Sequence, residues 1–169
     1  MDAYGDRNVT IDNARLIFRN FAGKEDSFNQ EGSRNFSVLL DDRTAQILEE
    51  DGWLVKWLRP REEGDSPQAY LPVAVKYRGR SGTKVRPPKI VLISSKGRNA
   101  LHEAEVELLD WADIEKVDLI VRPHDWIVNG KSGTKAYLKT MFVTIREDEL
   151  EMRYSEIDEL PSRSGRVED

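Results

Sequence analysis

The chain has 169 residues, 38% of them hydrophobic and 34% charged, with two histidines and no cysteine. That length buries a core without covalent or metal staples, and the absence of cysteine excludes disulfides, thiol nucleophiles and cysteine-ligated zinc or iron–sulfur centres. No apolar run approaches the ~20 residues of a membrane span and the polar first residues contain no signal-peptide core, so a cytoplasmic protein is expected.

The net charge of −5 is unevenly spread. From Glu147 onward nine acids stand against three arginines, a net of −6, which leaves residues 1–146 at +1. The chain therefore divides into a nearly neutral body, 1–146, and an acidic C-terminal tail, 147–169. Such a tail can be a solubilising end, can occupy a basic groove, or can recruit other proteins by charge.

Strand patterns dominate the body. Residues 8–19 hold Val9, Ile11, Leu16, Ile17 and Phe18, and their alternation breaks near Asp12-Asn13, which predicts a bulge in a long first strand. Residues 21–32 form a polar loop carrying Phe21 and Phe28. A second strand is expected over 34–40. A short helix follows, with Asp42 as cap and Gly52 as its stop. Residues 53–58 read as strand, with Trp53, Val55 and Trp57 on one face. Residues 68–78 alternate clearly: Leu71, Val73, Val75 and Tyr77 on the core face, Tyr70, Ala74, Lys76 and Arg78 on the other. Residues 79–88 form a basic loop, and 90–93 a short buried strand. Residues 103–112 suggest a second short helix. Val117, Leu119 and Val121 start another strand, with Pro123 expected to mark a bend or an edge. Residues 126–128 and 134–146 flank Asn129-Gly130, a strong hairpin signal. Five or more strands with short helices between them indicate a mainly β chain: an OB-type, five-stranded antiparallel Greek-key barrel, with a β-sandwich as the competing layout.

Catalytic patterns fail on inspection. Gly130-Lys131-Ser132 resembles the end of a phosphate loop, but the glycine required five residues earlier is Asp125, and the segment joins two strands. His102-Glu103 lacks the second metalloprotease histidine, since that position is Val106. No serine sits in a nucleophile elbow. Asp110 and Asp113 read as helix-end acids and Asp118 as a solvent-facing strand residue. No catalytic residue, metal or cofactor is expected.

What the sequence does supply is cations interleaved with aromatics, the two components of sequence-independent single-strand binding: charges for phosphates and ring faces for bases. Lys135, Tyr137 and Lys139 share one strand face by period two, with Leu138 and Phe142 expected on the opposite, core side; the same row could instead be a solvated edge that resists aggregation. Tyr70, Lys76, Arg78 and Arg80 repeat the theme. So do Phe21, Lys24 and Phe28, flanked by Arg19 and Arg34, and the basic loop with Lys84 and Arg86. Lys131 lies at the hairpin. Phe21 and Phe28 either fold back onto the barrel or meet a base, whereas Phe36, Trp53, Trp57 and Trp111 read as packing residues.

Five segments carry a resemblance: Arg34-Asn35-Phe36, Glu50-Asp51-Gly52-Trp53, residues 59–65, residues 109–114 and residues 128–139. Through these the chain resembles the bacteriophage-encoded OB-fold single-stranded DNA-binding proteins of replication and recombination. The resemblance implies an OB fold, non-enzymatic binding and protection of single-stranded DNA in the bacterial host's cytoplasm, and an acidic tail that contacts replication or recombination proteins. It leaves the oligomeric state open, a homodimer included. The tail departs from the pattern by ending in Ser164–Asp169 with arginines mixed in, and with no aromatic or apolar residue after the acids. Two rival readings stand beside it: an accessory protein–protein interaction module with the same barrel and no DNA groove, and an OB-like module of a nucleotide-processing enzyme.

Overall fold

The first apolar stretch splits where its alternation breaks. β1 (Val9–Ile11) and β2 (Leu16–Asn20) are separated by residues 12–15, where Asn13 takes a φ of +53°. Asparagine tolerates this left-handed backbone better than most residues, and the Asn13 amide donates to Asp118 Oδ1 at 2.9 Å. The other elements are β3 (Asn35–Leu40), α1 (Asp42–Glu50), β4 (Lys56–Leu58), β5 (Gln68–Ala74), β6 (Lys89–Ser94), β7 (Gly97–Leu101), a 3-10 helix (Glu103–Asp110), β8 (Ile114–Val128) and β9 (Lys131–Ile145). The computed structural model describes residues 7–27, 29–79 and 85–146. The acidic segment 147–169 and the candidates Phe28, Arg80 and Lys84 lie outside the described residues.

The hydrogen-bonded path runs β1-β8-β9-β5-β3-β2. Its two ends are the halves of one bent segment, so the chain itself, rather than a ladder, joins the two edges of this path. The bend is stitched on both sides: Ala14 donates to the Val117 carbonyl at 2.8 Å, and Leu39 donates to that of Arg15 at 3.0 Å. The mainly β, OB-type architecture with short inserted helices is thus present, in a more divided form than the sequence suggests. The nine strands among the described residues include the split first strand, the three-residue β4 and the β6–β7 hairpin. The ladder is mixed rather than wholly antiparallel. One edge of the long β9 is shared by β5 and β6, and both run parallel to it. Side-chain alternation is the same in both strand directions, so the sequence carries no sign of this.

Apolar alternation fills the interior. Phe36, Val38, Leu71, Val73, Val117, Leu119, Leu138, Met141 and Val143 are all buried. Ala45 and Leu48 of α1 and Val106 and Leu109 of the 3-10 helix add to this core. The cap of α1 is Asp41, one residue before the expected Asp42, and its carboxylate accepts from the Thr44 amide at 2.7 Å. Asp41 is held below the ordinary aspartate range first by that bond. Gly52, at φ +93°, ends the helix and turns the chain so that Trp53 enters the core. No helix among the described residues is long and apolar enough to cross a membrane.

Candidate nucleic-acid interface

The Asn129-Gly130 turn sets the register of the whole candidate site. Both residues have positive φ, 51° and 78°, and Val128 pairs with Lys131 across the turn. Two central residues at positive φ are what a tight type I′ hairpin requires. β8 runs unbroken through Pro123. It continues to Val128, with Pro123 opposite Ala136. β1 pairs β8 no further than Val121, so Pro123 lies where that side of β8 is an edge. Its missing N–H costs no ladder bond on that side.

Strand alternation then sorts the hairpin into two faces. Val121, Ala136 and Leu138 point into the core. Arg122, His124, Trp126 and Val128 lie on the outer face of β8, opposite Tyr137, Lys135, Gly133 and Lys131 of β9. The His124 ring stacks flat on Tyr137, with centroids 4.4 Å apart and planes 7° from parallel. Arg122, directly across from Tyr137, donates to the Arg86 carbonyl. Partial burial and the nearby Arg86 charge lower the affinity of Arg122 for its proton. Trp126 lies against Gly133: a Cβ there would come within 3.1 Å of both the indole and Leu54. A side chain at 133 would therefore press on both the Trp126 indole and Leu54.

The face continues across the neighbouring strands. Tyr137 pairs with Ala74 of β5, and Tyr70 lies on the same side of that strand. Tyr70 meets Phe18 edge-on, with centroids 5.5 Å apart. Phe18 sits in the β2–β3 irregularity at φ +52° and is 58% exposed. Positive φ is strained for a bulky residue, and here it turns an aromatic ring outward. Lys56 of β4 pairs with Tyr70. The outer face thus presents Phe18, Tyr70, Tyr137, His124 and Trp126 over five adjacent strands, with Lys56, Lys131, Lys135 and Arg122 among them.

Several residues expected at this site serve the fold instead. Phe21 is fully buried and stacks on Phe36 at 5.0 Å. Its loop is held by the Asp110 carboxylate, which accepts from the Phe21 amide at 2.6 Å and the Ala22 amide at 3.0 Å. Turning Phe21 out would forfeit about 1.5–3 kcal/mol of burial, as much as a base would return by stacking, ~1–3 kcal/mol. Arg19 donates to the carbonyls of Leu109 and Ala112, both at 2.9 Å, and so caps the end of the 3-10 helix. Arg34 donates to the Phe21 carbonyl, stands 3.7 Å from Glu103 and lies over the Tyr77 ring. Arg78 makes two bonds to Glu103, at 2.9 and 2.5 Å. Lys76 lines the same cleft as Arg34 and Tyr77. Burial there raises the Tyr77 phenol to about 12. Lys24 is exposed on the first loop.

Lys139 leaves the face for a different reason. The β8–β9 register passes from Val121↔Leu138 to Ile120↔Thr140, so Lys139 is the unpaired bulge residue. The bulge also reverses alternation beyond it. Met141 and Val143 fill the core, and Phe142, expected inside, lies outward opposite Asp118. Trp53 and Phe36 are packing residues as expected, whereas Trp57 and Trp111 are 42% and 69% exposed. The sequence reading passed over Phe18, Arg122, His124 and Trp126. The last three stand at every second position before an Asn-Gly turn, a pattern hidden when residues 117–121 and 126–128 are read as separate strands.

Beneath the face, Asp125 ties the hairpin to the N-terminal arm. Arg7 donates to Asp125 at 2.9 Å and to Thr134 Oγ1 at 3.1 Å, while Thr134 donates to Asp125 at 2.7 Å. The Thr134 bond, then the Arg7 bond, holds the Asp125 carboxyl below its ordinary range.

The family model described as "Putative phage ssDNA-binding domain" matches residues 3–168. No curated protein matches the sequence. Among solved structures, the chain is similar to the single-stranded DNA-binding protein of bacteriophage Enc34 in complex with ssDNA. That match has a TM-score of 0.52 at 11% identity, over 83% of this chain and 88% of the other. A C-terminal truncation of the same protein gives 0.51 at 11%, over 83% and 87%. The single-stranded DNA-binding protein gp2.5 of bacteriophage T7 gives 0.40 at 12%, over 98% and 100%. At such identities the Enc34 likeness is one of fold.

Proposed function

Because the chain belongs to the phage ssDNA-binding domain family, we propose that it binds single-stranded DNA without sequence preference through the outer face of β2, β3, β5, β9 and β8. One observation carries the assignment of the site: the unbroken outer row in which Arg122, His124, Trp126 and Val128 of β8 face Tyr137, Lys135, Gly133 and Lys131 of β9. Ring faces there are presented flat, as bases need, and the cations stand beside them, as phosphates need. The stacked pair also defines a polarity. Tyr137 lies beneath His124, so His124 is the outer plate and Tyr137 its support. Neither ring reads a base edge, and sequence tolerance follows. Such a face suits coating and protecting DNA during replication and recombination. The acidic segment 147–169 competes for the cations or contacts partner proteins, both by charge.

The rival reading of a protein-interaction barrel without a DNA groove predicts that body cations are neutralised by body acids. Arg7, Arg34 and Arg78 fit that description. Lys131 and Lys135 do not, because their cross-strand neighbours are Val128 and His124. Titration of the protein with oligo-dT, followed by tryptophan fluorescence at low and high salt with duplex DNA as control, tests the proposal. Salt-sensitive quenching that prefers the single strand is the expected outcome. No binding by the full chain or by residues 1–146, confirmed by gel shift, would transfer the face to a protein partner.

A further inference from the structure

The far end of the β8–β9 hairpin bears apolar side chains that the stacking face does not use. Ile127 is 78% exposed and Val128 57% exposed, and they flank the Asn129-Gly130 turn. β5 pairs with β9 only at Ala136 and Tyr137, and a single bridge at Thr134 joins Trp53. Beyond that bridge, Ile127↔Ser132 and Val128↔Lys131 form a two-stranded arm with no neighbouring strand among the described residues. Alternation puts Val128 on one side of this arm, one step beyond Trp126, and Ile127 on the other. The tip is therefore apolar on both sides, thin, and held in register by a tight turn. Lys131 is paired across from Val128, so a cation for a phosphate stands beside the apolar tip.

We propose that this tip is a wedge that inserts at the junction between single-stranded and duplex DNA and helps to open the adjoining base pairs. The inference rests on the single-strand reading of the outer face and deepens it. A strand lying along Trp126, His124 and Tyr137 leads to Val128 without a break in the surface. Where that strand enters a duplex, the next surface it presents is the flat apolar face of the terminal base pair. Branched aliphatic side chains inserted against base steps unstack them, and the exchange of water for a base face offsets part of the cost of unstacking. Continuity with the stacking face and the adjacent Lys131 favour this occupant over a second copy of the chain or a lipid surface.

The test uses the full chain and a short hairpin duplex carrying an oligo-dT tail, with a fluorophore and quencher on the two strands at the junction. The parent protein should open the junction, whereas Ile127→Thr combined with Val128→Thr should do so roughly tenfold less well. Affinity for oligo-dT alone should stay within about twofold, because threonine keeps strand propensity at these exposed positions. Equal opening by parent and double variant would overturn the wedge while leaving single-strand binding intact. Failure of the parent to bind oligo-dT would overturn both the binding face and the wedge. Self-association of the parent in sedimentation, lost in the double variant with opening unchanged, would assign the tip to a second copy. Tight binding of the parent, but not the variant, to neutral phosphatidylcholine vesicles with junction opening unchanged would assign it to a lipid surface.

Discussion

Two pairs of rings are stacked among the described residues, in nearly the same way. Phe21 and Phe36 lie 5.0 Å apart at 20°, and His124 and Tyr137 lie 4.4 Å apart at 7°. The first pair is sealed from water on every side, while His124 is exposed. Geometry alone does not distinguish them; surroundings do. The phenylalanine pair is covered by core side chains and locked by Asp110 and Arg34. Its stacking is spent on the fold. The outer pair rests on the sheet with His124 exposed and Tyr137 half-buried, and the proposed binding mode uses that exposed ring as the plate for a base.

Substitutions should separate the two pairs cleanly. The largest effect is expected from Phe36→Ala. It should cost about 3–5 kcal/mol of stability by denaturant unfolding, with unchanged affinity for oligo-dT in the folded fraction. A loss of affinity without loss of stability would place the buried pair at the interface after all. Next, Tyr137→Ala should weaken oligo-dT binding by about 1–3 kcal/mol with little change in stability. His124→Ala should weaken it less, and the two should be non-additive, because the support and the plate act together. Strict additivity would mean that the rings bind separate bases.

Charge substitutions give smaller, differently shaped effects. Lys135→Gln should lower the slope of log affinity against log salt by about 0.7, the value for one single-strand phosphate contact. Arg19→Gln should leave that slope alone and lower stability, since its guanidinium serves two carbonyls of the body. The smallest effect is expected at Asp125. Its carboxyl is depressed in the folded state, so its contribution is present above the unfolded value of about 3.9 and disappears as pH falls through the lower folded value. Thermal melts of Asp125→Asn should lie slightly below the parent near neutrality and converge with it in acid. A constant gap at all pH values would show that the loss is one of packing.

The pattern of what the sequence reveals follows the physics of each element. Period-two burial made β5 legible: its inward residues Ala69, Leu71 and Val73 are all buried. The split in the first strand was visible because Asp12-Asn13 interrupts an apolar run, and the hairpin because Asn-Gly has few other uses. β7 was not visible, since Gly97-Arg98-Asn99-Ala100 is exposed and carries no alternation. Phe142 was assigned to the wrong face because a single bulge residue, Lys139, inverts every position after it. Arg19, Arg34 and Phe21 were drawn to the interface by composition alone. Sequence shows that a cation and a ring are near each other, but not that a carbonyl or carboxylate has already claimed them. In the outer row, Tyr137 and Lys135 were found by their alternation, while Arg122, His124 and Trp126 were lost behind a proline tolerated at a local edge.

The bent first strand has a consequence for how the protein folds. Its β1 half pairs with β8, Thr10 opposite Ile120, so partners 110 residues apart in sequence meet at this seam. Contacts of such long sequence separation slow folding. The β8–β9 hairpin, whose strands are joined by a tight turn between Val128 and Lys131, needs no such search. The hairpin is therefore expected to form early and the β1–β8 seam to close late.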